Sequence, residues 1–234
     1  MYGFKKDNYL NYNNRFEILR QNLIDYLKQE SKRGTAPIDS IKEKIYRPIE
    51  KQEIAIANIK DIYFNETSKL YPEDIMLLNF NYTKTPEQYI DKQHNITINY
   101  IHGCLDNPQS IIFGYGDELD KDYQKLKEQE DQECLRYIKS IKYMESDNYR
   151  NMLAFIESAP FQVIIMGHSC GNSDRTLLNT IFEHKNCVSI KPYFHKKKDE
   201  DNYLRLVQSI HRNFTDMKLM RDRVVNKGYC EPLT

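Results

Sequence analysis

Residues 163–174, VIIMGHSCGNSD, run four apolar residues into a glycine, a histidine, a serine, a cysteine and a second glycine. This is G-x-S-x-G at the end of an apparent strand, the spacing that exposes a serine nucleophile on a sharp strand-to-helix turn. The same string suits a strand end whose Gly167 and Ser169 hold a nucleotide beside a helix amino terminus, a ready anion site. Acyl transfer by Ser169 needs an acid and a base later in the chain, and Asp199 or Asp201 with His195 or His211 qualify by order. However, His211 lies beside Ile210 in an amphipathic stretch, and the acids sit in the charged turn HKKKDEDN. Two H-x-C pairs, His102/Cys104 and His168/Cys170, lack the second pair of a finger-like site, and their members point apart, so no metal is assigned.

Other strand ends are equally polar. In LLNFNYTKT, alternation puts Asn79, Asn81 and Thr83 on one side, with Phe80 and Tyr82 on the other. Asparagine satisfies loop backbone well, so Asn79 and Thr83 have a structural reading beside the functional one, while Asn81 is assigned to function. In YIHG, His102 stands where an apolar strand meets Gly103, a place for an imidazole to titrate near neutral pH. Gly114 and Gly116 of IIFGYGD read as a simple turn. Ser173 or Asp174 is expected to cap the helix SDRTLLNTIFEH, and for Asp174 capping comes ahead of ligand contact.

The elements that must position these groups alternate. Phe16, Leu19, Leu23 and Leu27 recur at helical spacing, predicting a helix over residues 12–32 that stops at SKRGTAP. Ser40 with Glu43 reads as a capping box opening a second helix, broken by Pro48 before Ile54, Ile59 and Ile62 continue the pattern. Strands are predicted at 74–80, 96–102, 110–114, 161–167 and 187–194, with helices at 118–146, 149–157, 174–184 and 200–212. The expected fold is therefore α/β, a mainly parallel Rossmann-like sheet, with residues 1–70 a helical region and 71–234 the core. Ligands of such sheets bind beyond the carboxyl ends of the strands, where the polar residues cluster.

Composition excludes several classes. The 234 residues are 40% hydrophobic, enough for a sizeable core. Lys+Arg and Asp+Glu both number 34, which argues against a nucleic-acid partner. No apolar run approaches the roughly 20 residues of a membrane helix, and the first residues lack a signal peptide, so a cytoplasmic protein is expected. Five cysteines without a C-x-x-C read as free thiols. Sequons at Asn65, Asn81, Asn95 and Asn213 read as chance in an Asn-rich chain.

Taken together, LNFNYT, YIHG, IIFGYGD and IMGHSCGNSD, followed by SIKPYFH, resemble the abortive-infection AbiH family of bacterial antiphage proteins, itself similar to the sirtuin-like NAD-binding fold. The resemblance spans roughly residues 70–215. It implies NAD as substrate or ligand. Asn81 matches the asparagine of a T-x-N-x-D strand end that contacts the ribose, with Asn79 and Thr83 in place of threonine and aspartate. His102-Gly103 matches a catalytic histidine-glycine, and Gly167 and Ser169 match a later G-x-S that holds nucleotide ribose. The implied chemistry is NAD glycohydrolysis: Asn81 positions water or ribose, His102 serves as general base, and Ser169 holds the adenosine side. Asp174 completes the expected cofactor-contacting set. Family members usually begin with a strand and a GNGFD-like loop, whereas Gly3 and Gly34 are the only glycines in residues 1–70. The resemblance therefore implies either a fragment or late-start product, or a chain that has lost dinucleotide binding.

Two other readings stay open: a non-catalytic module that pairs with itself or another chain, and a serine esterase using Ser169. The phage-derived trigger is not legible in the sequence.

Overall fold

The computed structural model describes residues 6–55, 58–59, 64, 67–118, 120–198 and 200–234. Helix α1 (Lys6–Ser31) is followed by α2 (Asp39–Ile45) and by an antiparallel pair, β1 (Ile49–Glu50) with β2 (Lys69–Leu70). The core strands β3 (Asp74–Asn79) and β4 (Asn95–Tyr100) come next. Short helices α3 (Lys121–Lys127) and α4 (Lys139–Lys142) precede α5 (Asn148–Ser158). Then follow β5 (Phe161–Ile165), α6 (Arg175–Phe182) and β6 (Cys187–Pro192). A small hairpin, β7 (Lys196–Lys197) with β8 (Glu200–Asp201), leads to α7 (Tyr203–Arg212) and α8 (Met217–Arg223).

The architecture is mixed α/β, and its core strands are parallel. β3 pairs with β4 and β5 with β6, each as a separate two-stranded sheet. Both pairs feed one core: Met76, Leu78, Phe161 and Val163 pack against Ile101, Met152, Ile156, Leu177, Ile181 and Ile190. β6 is the more enclosed strand, with Ile190 fully buried, because the segment after α8 bridges its outer edge through Val224 and Val225. β3 and β5 each keep one edge without a strand partner among the described residues. Apart from buried Ile165, their apolar side chains are only half-buried.

Several expected elements differ. Ser40 and Glu43 form no capping box, since α2 begins after Ile38 without a side-chain cap. A reciprocal box occurs instead between Glu50 and Glu53 in a single 3₁₀ turn. The chain is extended at Ile54 rather than helical, and Ile62 lies outside the described residues. Residues 110–114 are not a strand: they follow a 3₁₀ turn, and only Tyr115 makes a bridge, to Ile138. The expected long helix over 118–146 is broken into α3, α4 and 3₁₀ turns at 132–135 and 143–145. α1 docks through buried Ile24 against Leu105 and Ile111 and by stacking Phe16 on Phe113.

Candidate functional site

The carboxyl ends of β3, β4 and β5 meet. At the end of β3, Asn79 folds back on its own loop: its Oδ1 accepts from the Asn81 amide at 3.0 Å, and its Nδ2 donates to the Thr83 carbonyl at 3.0 Å. The Thr83 hydroxyl lies 3.0 Å from that of Thr85. Asn79 and Thr83 thus hold the turn, and the turn presents Asn81, whose exposed side chain makes no hydrogen bond among the described residues. Tyr82 donates its hydroxyl to the Ile112 carbonyl, and burial with the nearby Asp174 charge pushes its pKa up to about 12.

At the end of β4 the chain turns at Gly103, whose φ is +83°. A Cβ there would lie 2.1 Å from the Ser110 carbonyl oxygen, so conformation and packing both require glycine. The turn buries His102, whose ring is 4% exposed. Its Nδ1 lies 3.3 Å from the Phe80 carbonyl; its Nε2 lies 3.2 Å from Asp174 Oδ1 and 3.3 Å from the Tyr143 hydroxyl. The Phe80 carbonyl and the Asp174 carboxylate only accept, so each ring nitrogen faces an acceptor, and the neutral ring, with one proton, can donate to only one of them. Burial pulls the His102 pKa below its ordinary value, against the upward pull of Asp174. Tyr143 is stacked on Tyr149, and burial raises its hydroxyl pKa far above the ordinary range.

Beyond β5, Gly167 adopts φ +70° with open space around it. His168 follows, 21% exposed, with its ring 4.1 Å from that of Phe80. Its Nδ1 accepts from the Cys170 amide at 3.1 Å, and its Nε2 lies 3.7 Å from Asp174 Oδ2. Ser169 is exposed. Cys170 is a second left-handed residue of the turn (φ +52°), a buried thiol pushed up to about 12 by burial and by Asp174. Asn213, fully buried, donates to the Cys170 carbonyl at 2.9 Å and so pins the turn to the end of α7.

Asp174 corrects an expectation. It stands at the N-cap position of α6 yet caps nothing. Its carboxylate turns inward to Lys139 Nζ at 2.6 Å, His102 at 3.2 Å, His168 at 3.7 Å and the Ser173 hydroxyl at 3.2 Å. Burial alone would raise its pKa, but the imidazole hydrogen bonds and the Lys139 ammonium outweigh it and hold the carboxyl well below its usual range.

Lys139 and Tyr143 are residues that sequence reasoning missed. Gly116 admits Lys139, and Gly114 the chain just ahead of it at Tyr137, by close approach rather than as a simple turn. A Cβ on Gly114 would sit 2.1 Å from the Tyr137 carbonyl oxygen. One on Gly116 would meet Lys139 Cβ at 2.9 Å and the Ser173 carbonyl oxygen at 3.2 Å. The Lys139 amide donates to the Tyr115 carbonyl at 2.9 Å. Two glycines two residues apart, ahead of an Ile-Lys pair in an otherwise exposed charged run, were the available signal.

His102, Asp174, Gly167 and Ser169 are therefore brought to one region with Asn79 and Phe80. The residues an esterase would need are elsewhere. His195 and His211 are exposed, Asp201 bonds Lys227 Nζ at 2.8 Å, and Asp199 lies outside the described residues. No described side chain hydrogen-bonds Ser169 Oγ. Among the described residues no group of three or more His, Cys, Asp or Glu side chains could hold a metal ion. No described helix is long and apolar enough to cross a membrane. Two open grooves lie away from the cluster, one of 390 Å³ lined by Glu17, Arg20, Phe113 and Tyr137, the other of 590 Å³ along β1 and β2.

No curated protein and no solved structure matches this chain. The family model described as bacteriophage abortive infection AbiH matches residues 4–195, most of the chain and all of these strand ends. The chain belongs to the bacteriophage abortive infection AbiH family.

Proposed function

We propose that the chain acts in abortive infection of phage-challenged cells, through a nicotinamide-dinucleotide site at the ends of β3, β4 and β5. The reading takes the two parallel pairs as the flanks of one Rossmann-like sheet. One observation carries it: His102, the exposed Asn81 and the exposed Ser169 project from three strand ends that meet, where α/β sheets bind ligands. In the proposed reaction the bond from the ribose carbon to nicotinamide breaks, and its electron pair leaves on the pyridine nitrogen. Water bonds to that carbon and gives its proton to a base. Asn81 orients the ribose or the water. His102 Nε2 takes the proton once a ribose hydroxyl or the water replaces the Tyr143 hydroxyl against it. Ser169, with Gly167, holds the adenosine side, and Asp174 steadies both imidazoles. No membrane or nucleic acid is needed, and a cytoplasmic setting is part of the proposal.

A second reading, a regulatory module that does no chemistry, draws on the burial of His102 and on protein partners at both of its nitrogens. NAD consumption separates the two. Cells carrying the native gene are challenged with phage, and nicotinamide release is followed by chromatography alongside His102→Ala and Ser169→Ala. The enzyme reading expects NAD loss in the native strain and none in a folded His102→Ala protein, because removing a general base costs about 10²–10⁴-fold. Ser169→Ala should only weaken binding, about tenfold, the worth of one ribose hydrogen bond. Undiminished NAD with full phage protection would favour the module; covalent labelling of Ser169 by a fluorophosphonate would install the esterase instead.

A further inference from the structure

We propose that Lys139 is a positioning residue: its ammonium is the counter-ion of Asp174, and by competing for the same carboxylate it opposes a proton on the His102 imidazole. The inference rests on the NAD reading only for its catalytic meaning; the ionic assignment stands on geometry. Lys139 Nζ and His102 Nε2 approach the same oxygen, Asp174 Oδ1, at 2.6 Å and 3.2 Å. All three side chains are nearly out of solvent, 8%, 4% and 10% exposed. A buried carboxylate must be paired, and the pairing can be supplied once. With Lys139 present, a protonated His102 would have to share one carboxylate with a second cation, so the ammonium opposes that proton. Without Lys139 the nearest group able to supply the charge is the imidazole.

The other groups facing this pocket fit that assignment. From β3 comes the Phe80 carbonyl, 3.3 Å from Nδ1, and from the segment after α4 the Tyr143 hydroxyl, 3.3 Å from Nε2. From the turn after β5 come His168, on the second Asp174 oxygen, and the Cys170 thiol. Tyr82 stands beyond, within reach of the Asp174 charge. Among these, Lys139 makes the shortest contact to Asp174, 2.6 Å. Gly116, by letting Lys139 Cβ lie where a side chain would otherwise be, is the structural condition for the pair.

The test is the titration of His102 followed by NMR of the histidine ring, on the full chain, in wild type, Lys139→Met, Asp174→Asn and the double variant. Removing the ammonium should raise the His102 midpoint by ~1–3 units, the effect of leaving a single opposite charge beside it. Removing the carboxylate while keeping Lys139 should lower it. The double variant should return close to wild type. An unchanged midpoint in folded Lys139→Met overturns the assignment. Should that variant fail to fold, Asp174→Asn decides, and a midpoint above wild type there overturns it equally. Lys139→Arg, which keeps the charge, should titrate like wild type, so a purely steric role for Lys139 is separated from the ionic one. If the midpoints move as expected but the wild-type protein consumes no NAD, the counter-ion assignment stands and the glycohydrolase reading falls.

Discussion

His102 and Asp174 resist protonation together, which makes the folded protein sensitive to acid. Burial keeps the His102 pKa below its ordinary 6.5, and the ion pairs keep Asp174 below its ordinary 3.8. As pH falls through 6.5 the unfolded chain takes up the imidazole proton before the folded chain does, and the carboxyl repeats this at lower pH. Both contributions are therefore whole above about pH 7 and are lost as pH falls, with a slope of at most about 1.4 kcal/mol per pH unit for each group. Urea midpoints measured from about pH 8 down to about pH 4 should decline in wild type. They should decline less steeply in His102→Gln over the upper part of that range. Parallel curves for the two proteins would remove His102 as the titrating group.

Among the elements, the tight turns after β4 and before α4 are more sensitive than the serine turn after β5. Gly103 has both a left-handed φ and the Ser110 carbonyl against it, whereas Gly167 has the left-handed φ with open space around it. Gly103→Ala must move backbone that also receives the Ile112 amide, and should cost roughly 3 kcal/mol or more. Gly167→Ala should cost about 1–2 kcal/mol, the left-handed penalty alone. Gly114→Ala, whose Cβ would strike the Tyr137 carbonyl, belongs with Gly103 and should also dislodge Lys139. Denaturant titration ranks the three, and a Gly167→Ala protein weaker than Gly103→Ala would refute this account of the turns.

For the whole molecule, the unfinished feature is the separation of the two parallel pairs. β3 and β5 are apolar strands, each with an edge that no described strand covers, and such edges invite pairing with another chain. No glycine-rich turn ahead of a helix is found among the described residues before β3, so two pyrophosphate charges lack the backbone amides that usually hold them. As a monomer the 234-residue chain is therefore expected to bind NAD poorly, and the proposed site to depend on self-association or a partner. Light scattering with calorimetric NAD titration checks both halves. A clean monomer that binds NAD at micromolar concentration would contradict them.

The sequence alone marked the ends of the core strands, though it also suggested a strand at 110–114 that does not form. Runs such as DIMLLNF and FQVIIMG, closed by Asn, His and Gly, marked β3 and β5 within a residue or two, because burial between helices selects continuous apolar residues and their loss ends the strand. The ordered motifs carried the family for the same reason: they are local strings. Local strings could not say where Lys139 would go, since in sequence it is one lysine in a charged run, and its burial follows from two glycines some twenty residues earlier. Nor could they show that Asp174 faces inward. Capping satisfies an aspartate at a helix start just as well, until a lysine and two histidines converge on it from other elements. The division of the core into two strand pairs is likewise tertiary, because strand pairing is a relation between segments far apart in the chain, and no single segment encodes it.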